Sequence, residues 1–405
     1  MFENRFAHFL SYGATDQRTV RELAGDYNGL LVPGTVAAFQ REGTGGFVLT
    51  LSATTEGPQY AIDPRFPLFQ QALTRPKRSH VALAELLGVP ELVRPTDPSP
   101  ADFTDDIIET VARNWATFNG DYQAAAGSKF EKYARRLGQD VRPHDAKAPS
   151  YVMPPYLVAG PPPDPWWDVS QRLYEATSNA LNDDGRCVRV IAARNVGALA
   201  PLTLAVSENR AAIWVSGLEE LTRPASDLTE YALAIRESKQ RNLQVFALYG
   251  GFFSIMLQNL GLSGSSHGIG YGEYRNWIEL PESGPPPARY YLPHLHRYVQ
   301  ADEAARLYFT DRRLAECECA ECNGEPPVGL DYHALMRHSV RCRAREIAEW
   351  RDLGTPEMVE RLGREWAAFL AILHGSDLPE VAIARYERLG SHMSTWATAL
   401  ENTAP

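Results

Sequence analysis

Three cysteines lie close together late in the chain. Cys317, Cys319 and Cys322 form a C-x-C-x-x-C pattern, and His333 and His338 follow in a segment with helical spacing of its apolar residues. A structural zinc ion takes four thiolate or imidazole ligands in a tetrahedron. The three sulfurs would supply three corners, so the pattern predicts one structural zinc ion with one of the two histidines as its fourth ligand.

Two further cysteines, Cys187 and Cys342, stand apart from this pattern, and we expect both to be thiols without a role. A cluster of three in an odd total of five indicates metal binding rather than disulfides in a reducing compartment. Two alternatives stay open. The three cysteines are incidental loop residues, or the zinc is catalytic, although a fourth protein ligand leaves no position for a substrate.

The chain before this cluster alternates between predicted strands and predicted helices. Helix-compatible segments at 81–87, 169–181 and 228–239 follow several short apolar runs that predict strands at 29–33, 47–52, 60–63, 152–158, 187–192, 212–216, 243–248 and 267–271. Alternation of this kind requires parallel strands with crossover connections, and eight strands indicate a (β/α)8 barrel.

Two details qualify this α/β prediction. The gap between 47–52 and 60–63 is too short for a helix, so we predict a hairpin there and an irregular TIM-like barrel. The alternative is an open doubly wound sheet, but no glycine-rich dinucleotide loop follows an early strand. We assign the catalytic barrel to residues 1–290 and a zinc-binding, helical C-terminal unit to residues 291–405.

The composition indicates a globular protein. Of the 405 residues, 44% are hydrophobic and 22% are charged, and the formal net charge is −10. An acidic chain is less typical of nucleic-acid binders, although local patches matter more than the sum. No apolar run is long enough to span a membrane and no signal-peptide core is present, so we expect a cytoplasmic protein with no membrane partner.

The cysteine pattern, followed by Leu335-Met336-Arg337-His338 and placed behind a predicted barrel, resembles the tRNA-guanine transglycosylase superfamily. The resemblance implies that His338, not His333, completes a structural Zn²⁺ site. Tyr249-Gly250-Gly251-Phe252 is similar to the Gly-Gly turn of this family, whose backbone contacts the target base.

The sequence departs from the family at its two aspartates. No aspartate stands in the predicted strand where the family carries its nucleophilic aspartate, and the nearest ionisable groups are His267 and Glu273. The early Asp-Ser-Gly-Gly-Phe type motif is also missing, and Asp63 is the nearest substitute. The resemblance therefore favours two DNA-acting relatives: enzymes that insert 7-deazaguanine bases, and antiviral glycosylases that remove modified bases from phage DNA.

Breaking an N-glycosidic bond develops positive charge on the sugar. A carboxylate can stabilise this charge, attack the anomeric carbon itself, or activate a water molecule that attacks it. We predict Asp63 and Glu273 as these carboxylates, because both follow strands, and His267 as a proton donor or phosphate contact. The alternatives are a turn or helix cap for Asp63, a tight glycine-rich corner at Glu273 and a core position for His267.

We predict a substrate site in which a base lies against the glycine turn and on aromatic rings, formed by Tyr249, Gly250, Gly251, Phe252 and Arg275. Two basic clusters would follow the nucleic-acid backbone, one around residues 75–80 and one at Arg337, Arg341, Arg343 and Arg345. For both, a solvated helix face is the alternative.

The predicted function is that of an enzyme acting on the N-glycosidic bond of a modified nucleobase, by removing the base or exchanging it. DNA is favoured over tRNA as the partner. Three alternatives remain: a catalytically inactive barrel that binds a modified base or nucleic acid, base exchange on RNA of the tRNA-guanine transglycosylase type, and an unrelated zinc-stabilised barrel enzyme for a small molecule. The oligomeric state, a homo-oligomer included, stays open.

Overall fold

A curled sheet of nine parallel strands forms the centre of the computed structural model, which describes residues 1–2, 5–13, 17–182, 184–277 and 289–403. Its order is β4-β3-β2-β1-β9-β8-β7-β6-β5. The strands are β1 (Ala7–Ser11), β2 (Gly29–Pro33), β3 (Gln59–Asp63), β4 (Tyr151–Val152), β5 (Val158–Ala159), β6 (Arg189–Ala193), β7 (Arg210–Val215), β8 (Gln244–Ala247) and β9 (Leu262–Gly268).

Helices cover the outer face of the sheet, because parallel strands need crossover connections. They are α1 (Gln17–Glu22), α2 (Gly34–Phe39), α3 (Arg41–Ser52), α4 (Arg78–Leu87), α5 (Asp105–Gly120), α6 (Gly127–Leu137), α7 (Pro165–Ala180), α8 (Val196–Leu204), α9 (Ala225–Gln240) and α10 (Phe252–Met256). A 3-10 turn at Phe66–Gln70 follows β3.

The C-terminal part begins with an antiparallel pair, β10 (Arg289–Leu292) and β11 (Arg297–Gln300). It continues with α11 (Ala301–Thr310), α12 (Tyr332–Trp350), α13 (Thr355–His374), α14 (Glu380–Gly390) and α15 (His392–Glu401). Apolar residues of these helices share one hydrophobic cluster with the outer face of β6, β7 and β8. The C-terminal helices are therefore packed on the sheet through a common core.

An isolated bridge links β4, at one end of the sheet, to the segment that precedes β6. β4 pairs with β3, while Val152 of β4 also forms a parallel bridge with Cys187, shortly before β6. The amide of Val152 donates to the Arg186 carbonyl at 2.9 Å, and the amide of Val188 donates to the Val152 carbonyl at 2.9 Å. β5 follows after a break and pairs with β6.

Side chains satisfy the backbone in this break, where ladder hydrogen bonds are missing. The Leu157 amide donates to Ser170 Oγ at 2.9 Å, and the Val158 amide donates to Gln70 Oε1 at 2.6 Å. The indole of Trp115 donates to the Met153 carbonyl at 2.6 Å. Buried polar backbone groups need such partners, so the helical layer replaces a neighbouring strand here.

Side-chain alternation gives the sheet two buried faces. Phe9, Ala61, Trp214 and Phe246 belong to an inner cluster enclosed by the curled sheet. Residues one position away, such as Leu10 and Ile213, pack outward against the helices. Because all strands run parallel, their carboxyl ends, including that of β3 at Asp63, meet at one edge.

One predicted strand is wrong and one strand was missed. Residues 47–52 belong to α3, so the predicted hairpin between them and residues 60–63 does not exist. The segment Thr44–Ser52 is buried throughout, and a short, fully buried apolar run does not distinguish helix from strand by its periodicity. The missing strand is β1, which lies between β2 and β9.

The other predicted strands lie at or near observed ones. β2 has the predicted bounds, whereas the run at 152–158 is divided between β4 and β5. The run at 267–271 is displaced, because β9 already begins at Leu262 and ends at Gly268. The structure thus has the predicted α/β class and parallel pairing.

Candidate active site and metal centre

The predicted metal ligands converge on one point between the cysteine loop and α12. Nδ1 of His338 is 3.2 Å from the sulfur of Cys322 and 3.4 Å from that of Cys319. In tetrahedral zinc sites with Zn–S near 2.3 Å and Zn–N near 2.0–2.1 Å, ligand atoms lie roughly 3.5–3.8 Å apart. The spacing of these donors therefore suits a metal ion such as zinc.

Cys342 also belongs to this cluster, which contradicts the expectation that it is a thiol without a role. Its sulfur is 3.6 Å from that of Cys317 and 3.5 Å from Nδ1 of His338. Cys317, Cys319, His338 and Cys342 form a set whose donor atoms all lie within 4.8 Å of one another, and this set contains Cys342 in place of the predicted ligand Cys322. His338 and Cys342 are four residues apart on α12, so they share one face of the helix.

The surroundings of His338 hold its imidazole in a metal-binding orientation. Nε2 is 2.6 Å from the Tyr291 carbonyl, which accepts hydrogen bonds only, so Nε2 carries the proton and Nδ1 presents a lone pair to the sulfurs. The Tyr290 ring stacks on the imidazole at 4.2 Å between centroids. These contacts join the cysteine cluster to β10.

Asp63 lies at the carboxyl end of β3 and is fully buried. The Tyr156 hydroxyl donates to its Oδ1 at 2.9 Å, and the Arg65 guanidinium forms an ion pair with its Oδ2 at 2.6 Å. The Arg65 amide also donates to Oδ1 at 3.0 Å, a turn made possible by the positive φ of 55° at Arg65. Arg65, not Asp63, is the N-cap of the following 3-10 turn.

Aromatic rings and a second guanidinium surround this carboxylate. The rings of Trp214 and Tyr249 have centroids 5.8 Å apart, and Tyr156 meets Trp214 edge-on at 6.2 Å. Arg275 lies over Trp214 at 5.6 Å and donates to the Tyr249 hydroxyl at 3.4 Å. Aromatic rings can stack on a planar heterocycle, and neighbouring cations can contact the phosphates of a backbone to which that heterocycle is attached.

The electrostatics of this group follow from its burial. Burial, with the nearby Asp63 charge, raises the pKa of Tyr156 well above its usual value, so Tyr156 remains a hydrogen-bond donor. Burial alone would lower the pKa of Arg275. The interactions with Tyr249, Asp63 and Tyr156 are together larger and raise this pKa above its usual value. Arg275 is therefore a permanent cation beside Asp63.

Glu273 lies next to α12 in a second group of charged residues, with 13% of its side chain exposed. It forms an ion pair with Arg343. Burial raises the pKa of Glu273 to about 7; Arg343 opposes this shift, while Glu220 and Glu346 add to it. A carboxyl group with such a pKa can exchange a proton near neutral pH.

The glycine turn after β8 lies between the two groups. At one end of the turn, Tyr249 contacts Arg65 and Arg275. At the other end, a Cβ on Gly251 would be 2.7 Å from Oε2 of Glu220 and 3.1 Å from Oε2 of Glu273. A Cβ on Gly250 would be 2.6 Å from Ser254 Oγ. Packing therefore requires glycine at Gly250, whereas a side chain at Gly251 would displace the Glu220 and Glu273 carboxylates. The three-residue turn extends from the neighbours of Asp63 to Glu273.

Two predicted site residues face elsewhere. His267 shares the outward register of Leu10, and its Nε2 is 2.7 Å from Nε2 of His8. Burial, with the charges of His8 and Arg343, lowers the pKa of His267 well below its usual value. Phe252 is buried and stacks on His296 at 3.6 Å between ring centroids, so it packs in the core.

Four residues of the two groups were not identified from the sequence: Arg65, Tyr156, Trp214 and Glu220. The period of two in a strand could have placed Trp214 beside Ala212 on the inner face. Tyr156 lies in the strand break and Glu220 in a loop, where no periodicity applies. Their roles depend on tertiary contacts.

The two predicted basic clusters differ in the structure. The α12 cluster is engaged in ion pairs: Arg337 with Glu22 and Glu321, Arg341 with Asp26 and Glu321, Arg343 with Glu273 and Glu346, and Arg345 with Glu349. Arg75 precedes α4 and Arg78 is its first residue; both are exposed and form no ion pair with any residue that the structure describes. They follow the strand that ends at Asp63.

Comparison with known proteins gives no family assignment. No protein-family model matches the chain, and no curated protein matches it. Among solved structures, nitroalkane oxidase from Streptomyces ansochromogenes matches with 11% identity and a TM-score of 0.28, covering 85% of each chain. So low a TM-score carries no argument about fold or function. Within the described ranges, no helix combines the length and apolarity needed to cross a bilayer.

Proposed function

We propose that this protein is an enzyme that acts on the N-glycosidic bond of a nucleobase in DNA, removing the base as a glycosylase or exchanging it. The observation that carries the proposal is the buried carboxylate of Asp63, held by Tyr156 and Arg65 at the carboxyl edge of a parallel sheet and surrounded by aromatic rings. This edge is where α/β enzymes place their catalytic groups.

The fold proposed for this enzyme is a (β/α)8 barrel in which β4 and β5 are two halves of one broken strand. The bridge between Val152 and Cys187 supports this interpretation, since it links the strand beside β3 to the segment leading into β6. Counting β4 and β5 as one leaves eight parallel strands in sequence order, with β9 paired to β1. If these eight strands close into a barrel, Asp63, Trp214 and Tyr249 lie together at the carboxyl end of its strands.

In the proposed hydrolytic reaction, the bond between the anomeric carbon and the base nitrogen breaks, and its electron pair leaves with the base. Asp63 faces the developing positive charge on the sugar and accepts a proton from the attacking water, whose oxygen forms the new bond to the anomeric carbon. In the exchange reaction, the carboxylate of Asp63 forms that bond first and a second base displaces it.

Glu273 would supply the proton that the leaving base takes up. Its pKa near 7 suits a general acid at neutral pH. A base resting on the turn from Tyr249 to Gly251 would touch the Asp63 group at one end and Glu273 at the other, because two residues span at most about 7 Å. Trp214 and Tyr249 would stack on the extruded base, and Arg65 and Arg275 would hold the adjacent phosphates.

A zinc ion fits the cysteine cluster, and its part in this proposal is structural. Cys317, Cys319, His338 and Cys342 would hold it, and it would fix α12 against the sheet. Because α12 also carries Arg343, the metal would keep the partner of Glu273 in place. This four-ligand arrangement leaves no position for a substrate on the metal.

The test is incubation of the protein with DNA duplexes and single strands bearing unmodified or modified bases, and with tRNA. We expect free base and abasic sites in DNA, or incorporation of a labelled free base, with loss of both in Asp63→Asn. Turnover on tRNA alone would assign the protein to base exchange on RNA. Release of no base and incorporation of none from any of these substrates would refute the proposal.

A catalytically inactive binding module is the second candidate, favoured by the ion pairs of both carboxylates. Asp63 pairs with Arg65 and Glu273 pairs with Arg343, so each negative charge already has a partner. Binding of a modified-base oligonucleotide that persists in Asp63→Asn, without turnover by the wild type, would support this candidate over the enzyme.

A further inference from the structure

A cavity of about 610 Å³ opens at the edge of the sheet opposite Asp63. Arg210 and Gln244 begin β7 and β8 and are register partners, and Leu262 begins β9. Arg5 precedes β1, which pairs with β9. The cavity therefore lies across the amino ends of four strands, separated from Asp63 by the length of the sheet.

Four cations line this cavity, Arg5, Arg210, Lys239 and Arg351, and none of its described lining residues is a carboxylate. The chain as a whole has 50 acidic and 40 basic residues, so a purely basic lining runs against its overall charge. Across the part of the chain that the structure describes, none of the four forms an ion pair with Asp or Glu. Such a concentration of one sign of charge favours an anionic ligand.

The rest of the lining suits a ligand that also has a polar ring system. Amide side chains at Asn209, Asn242, Gln244 and Gln258 can donate and accept hydrogen bonds. Phe6, Leu243 and Leu262 are buried and provide an apolar floor. A volume of this size is in the usual range for small-molecule sites, roughly 300–1,000 Å³.

We propose that this cavity binds a small phosphorylated molecule of the nucleoside diphosphate or triphosphate class. The arginines and the lysine contact the phosphate oxygens, with the guanidinium groups able to bind two oxygens at once. The amides contact the base or the sugar hydroxyls, and the apolar floor contacts the ring. The site is independent of the base-handling groups at the other edge.

The test is isothermal titration calorimetry on the full-length protein with ADP, inorganic pyrophosphate, adenosine and a short single-stranded DNA. ADP and pyrophosphate are expected to bind with an affinity that falls as salt rises, and adenosine to bind far more weakly. The double variant Arg210→Ala/Arg351→Ala is expected to weaken ADP binding by about ten-fold or more. The matched control is Arg306→Ala/Arg364→Ala, which removes two exposed arginines elsewhere.

Three outcomes would overturn the inference: no binding of ADP or pyrophosphate at millimolar concentration, equal ADP affinity in the double variant and the control, or, without ADP binding, DNA binding that the double variant loses. The third would make this edge a nucleic-acid surface. Base release by the double variant is measured in parallel and should equal that of the wild type. A protein that releases no base but binds ADP here would refute the proposed reaction and leave this inference standing.

Discussion

The guanidinium of Arg343 on α12 pairs with the carboxylate of Glu273 in the segment after β9. Arg343 is adjacent in sequence to Cys342, whose sulfur belongs to the candidate metal cluster. One helix thus carries both a side chain of the candidate metal cluster and the charge partner of a carboxyl group at the candidate active site. The metal centre and that site are therefore joined by neighbouring residues of a single helix.

The pKa of Glu273 gives a pH dependence of stability with a definite sign. The pKa of Glu273 in the folded protein is about 7, against 4.5 for an unperturbed glutamate, so the folded protein holds this proton after the unfolded chain has lost it. The stabilising contribution is present below pH 4.5 and is lost as the pH rises to 7. The slope approaches about 1.4 kcal/mol per pH unit.

The Glu273→Gln variant lacks this contribution. Its free energy of unfolding should therefore increase relative to that of the wild type as the pH rises from 5 to 7. Urea unfolding at several pH values measures the difference. A constant difference across this range would contradict the raised pKa. Glu349→Gln, an exposed glutamate on the same helix as Arg343, is the control.

The metal centre predicts one zinc ion per chain and a loss of stability on its removal. Cys319→Ser and Cys342→Ser should both lower zinc content and thermal stability, because structural zinc contributes on the order of 10 kcal/mol to folding in small domains. Elemental analysis and thermal unfolding with and without a chelator measure these effects. Cys187→Ser lies outside the cluster and is the control. Full zinc content in Cys342→Ser would mean that Cys322 completes the site instead.

Asp63→Asn should abolish most of the proposed base release while leaving the fold intact. The substitution keeps the shape of the side chain but removes its negative charge, and a loss of about 10²–10³ in kcat is expected for one lost electrostatic contact to the transition state. Tyr156→Phe should lose less, since it removes only one hydrogen bond. Single-turnover base release measures both, and Asp377→Asn, an exposed residue, is the control. Unchanged kcat in Asp63→Asn would exclude its catalytic role.

The ring of Tyr249 should contribute to substrate binding through stacking. Tyr249→Ala should weaken oligonucleotide binding by about 1–3 kcal/mol, the usual value for one base on one aromatic ring. Tyr249→Phe keeps the ring and removes the hydroxyl that accepts from Arg275, so its affinity should stay close to that of the wild type. Fluorescence anisotropy distinguishes the two. Equal losses in both variants would assign the role of Tyr249 to its hydroxyl.

Arg75 and Arg78 should contact DNA phosphates beside the candidate active site. Replacing each with alanine should reduce the slope of log K against log salt concentration by about one per lost phosphate contact. The preference among bases should change little. Arg306→Ala/Arg364→Ala removes the same charge from a different surface and should leave the slope unchanged. Equal slopes in the two double variants would place the DNA elsewhere.

The sequence was most informative where chemistry is encoded locally. The cysteine pattern and His338 predicted a metal cluster, and β2 and β3 could be read from short apolar runs ending in proline or aspartate. Cys342 could not be distinguished from an idle thiol, because only the helical register of α12 brings it beside His338.

The rest of the candidate site could not be predicted because it forms across long sequence separations. Tyr156 meets Asp63 from 93 residues away, and Arg343 meets Glu273 from 70 residues away. The α12 arginines looked like a nucleic-acid surface, but their carboxylate partners come from other segments. A single sequence shows charges and not their pairing.

The broken strand between Val152 and Val158 has a mechanical consequence. Tyr156, which donates to Asp63, stands in a stretch anchored by Ser170 of α7, by Gln70 and by Trp115 of α5, instead of by a rigid ladder on both sides. We expect a displacement of α7 or α5 to move the Tyr156 hydroxyl relative to Asp63, because these hydrogen bonds position the segment. Substitutions in these two outer helices are therefore expected to change the Tyr156–Asp63 contact without altering either residue.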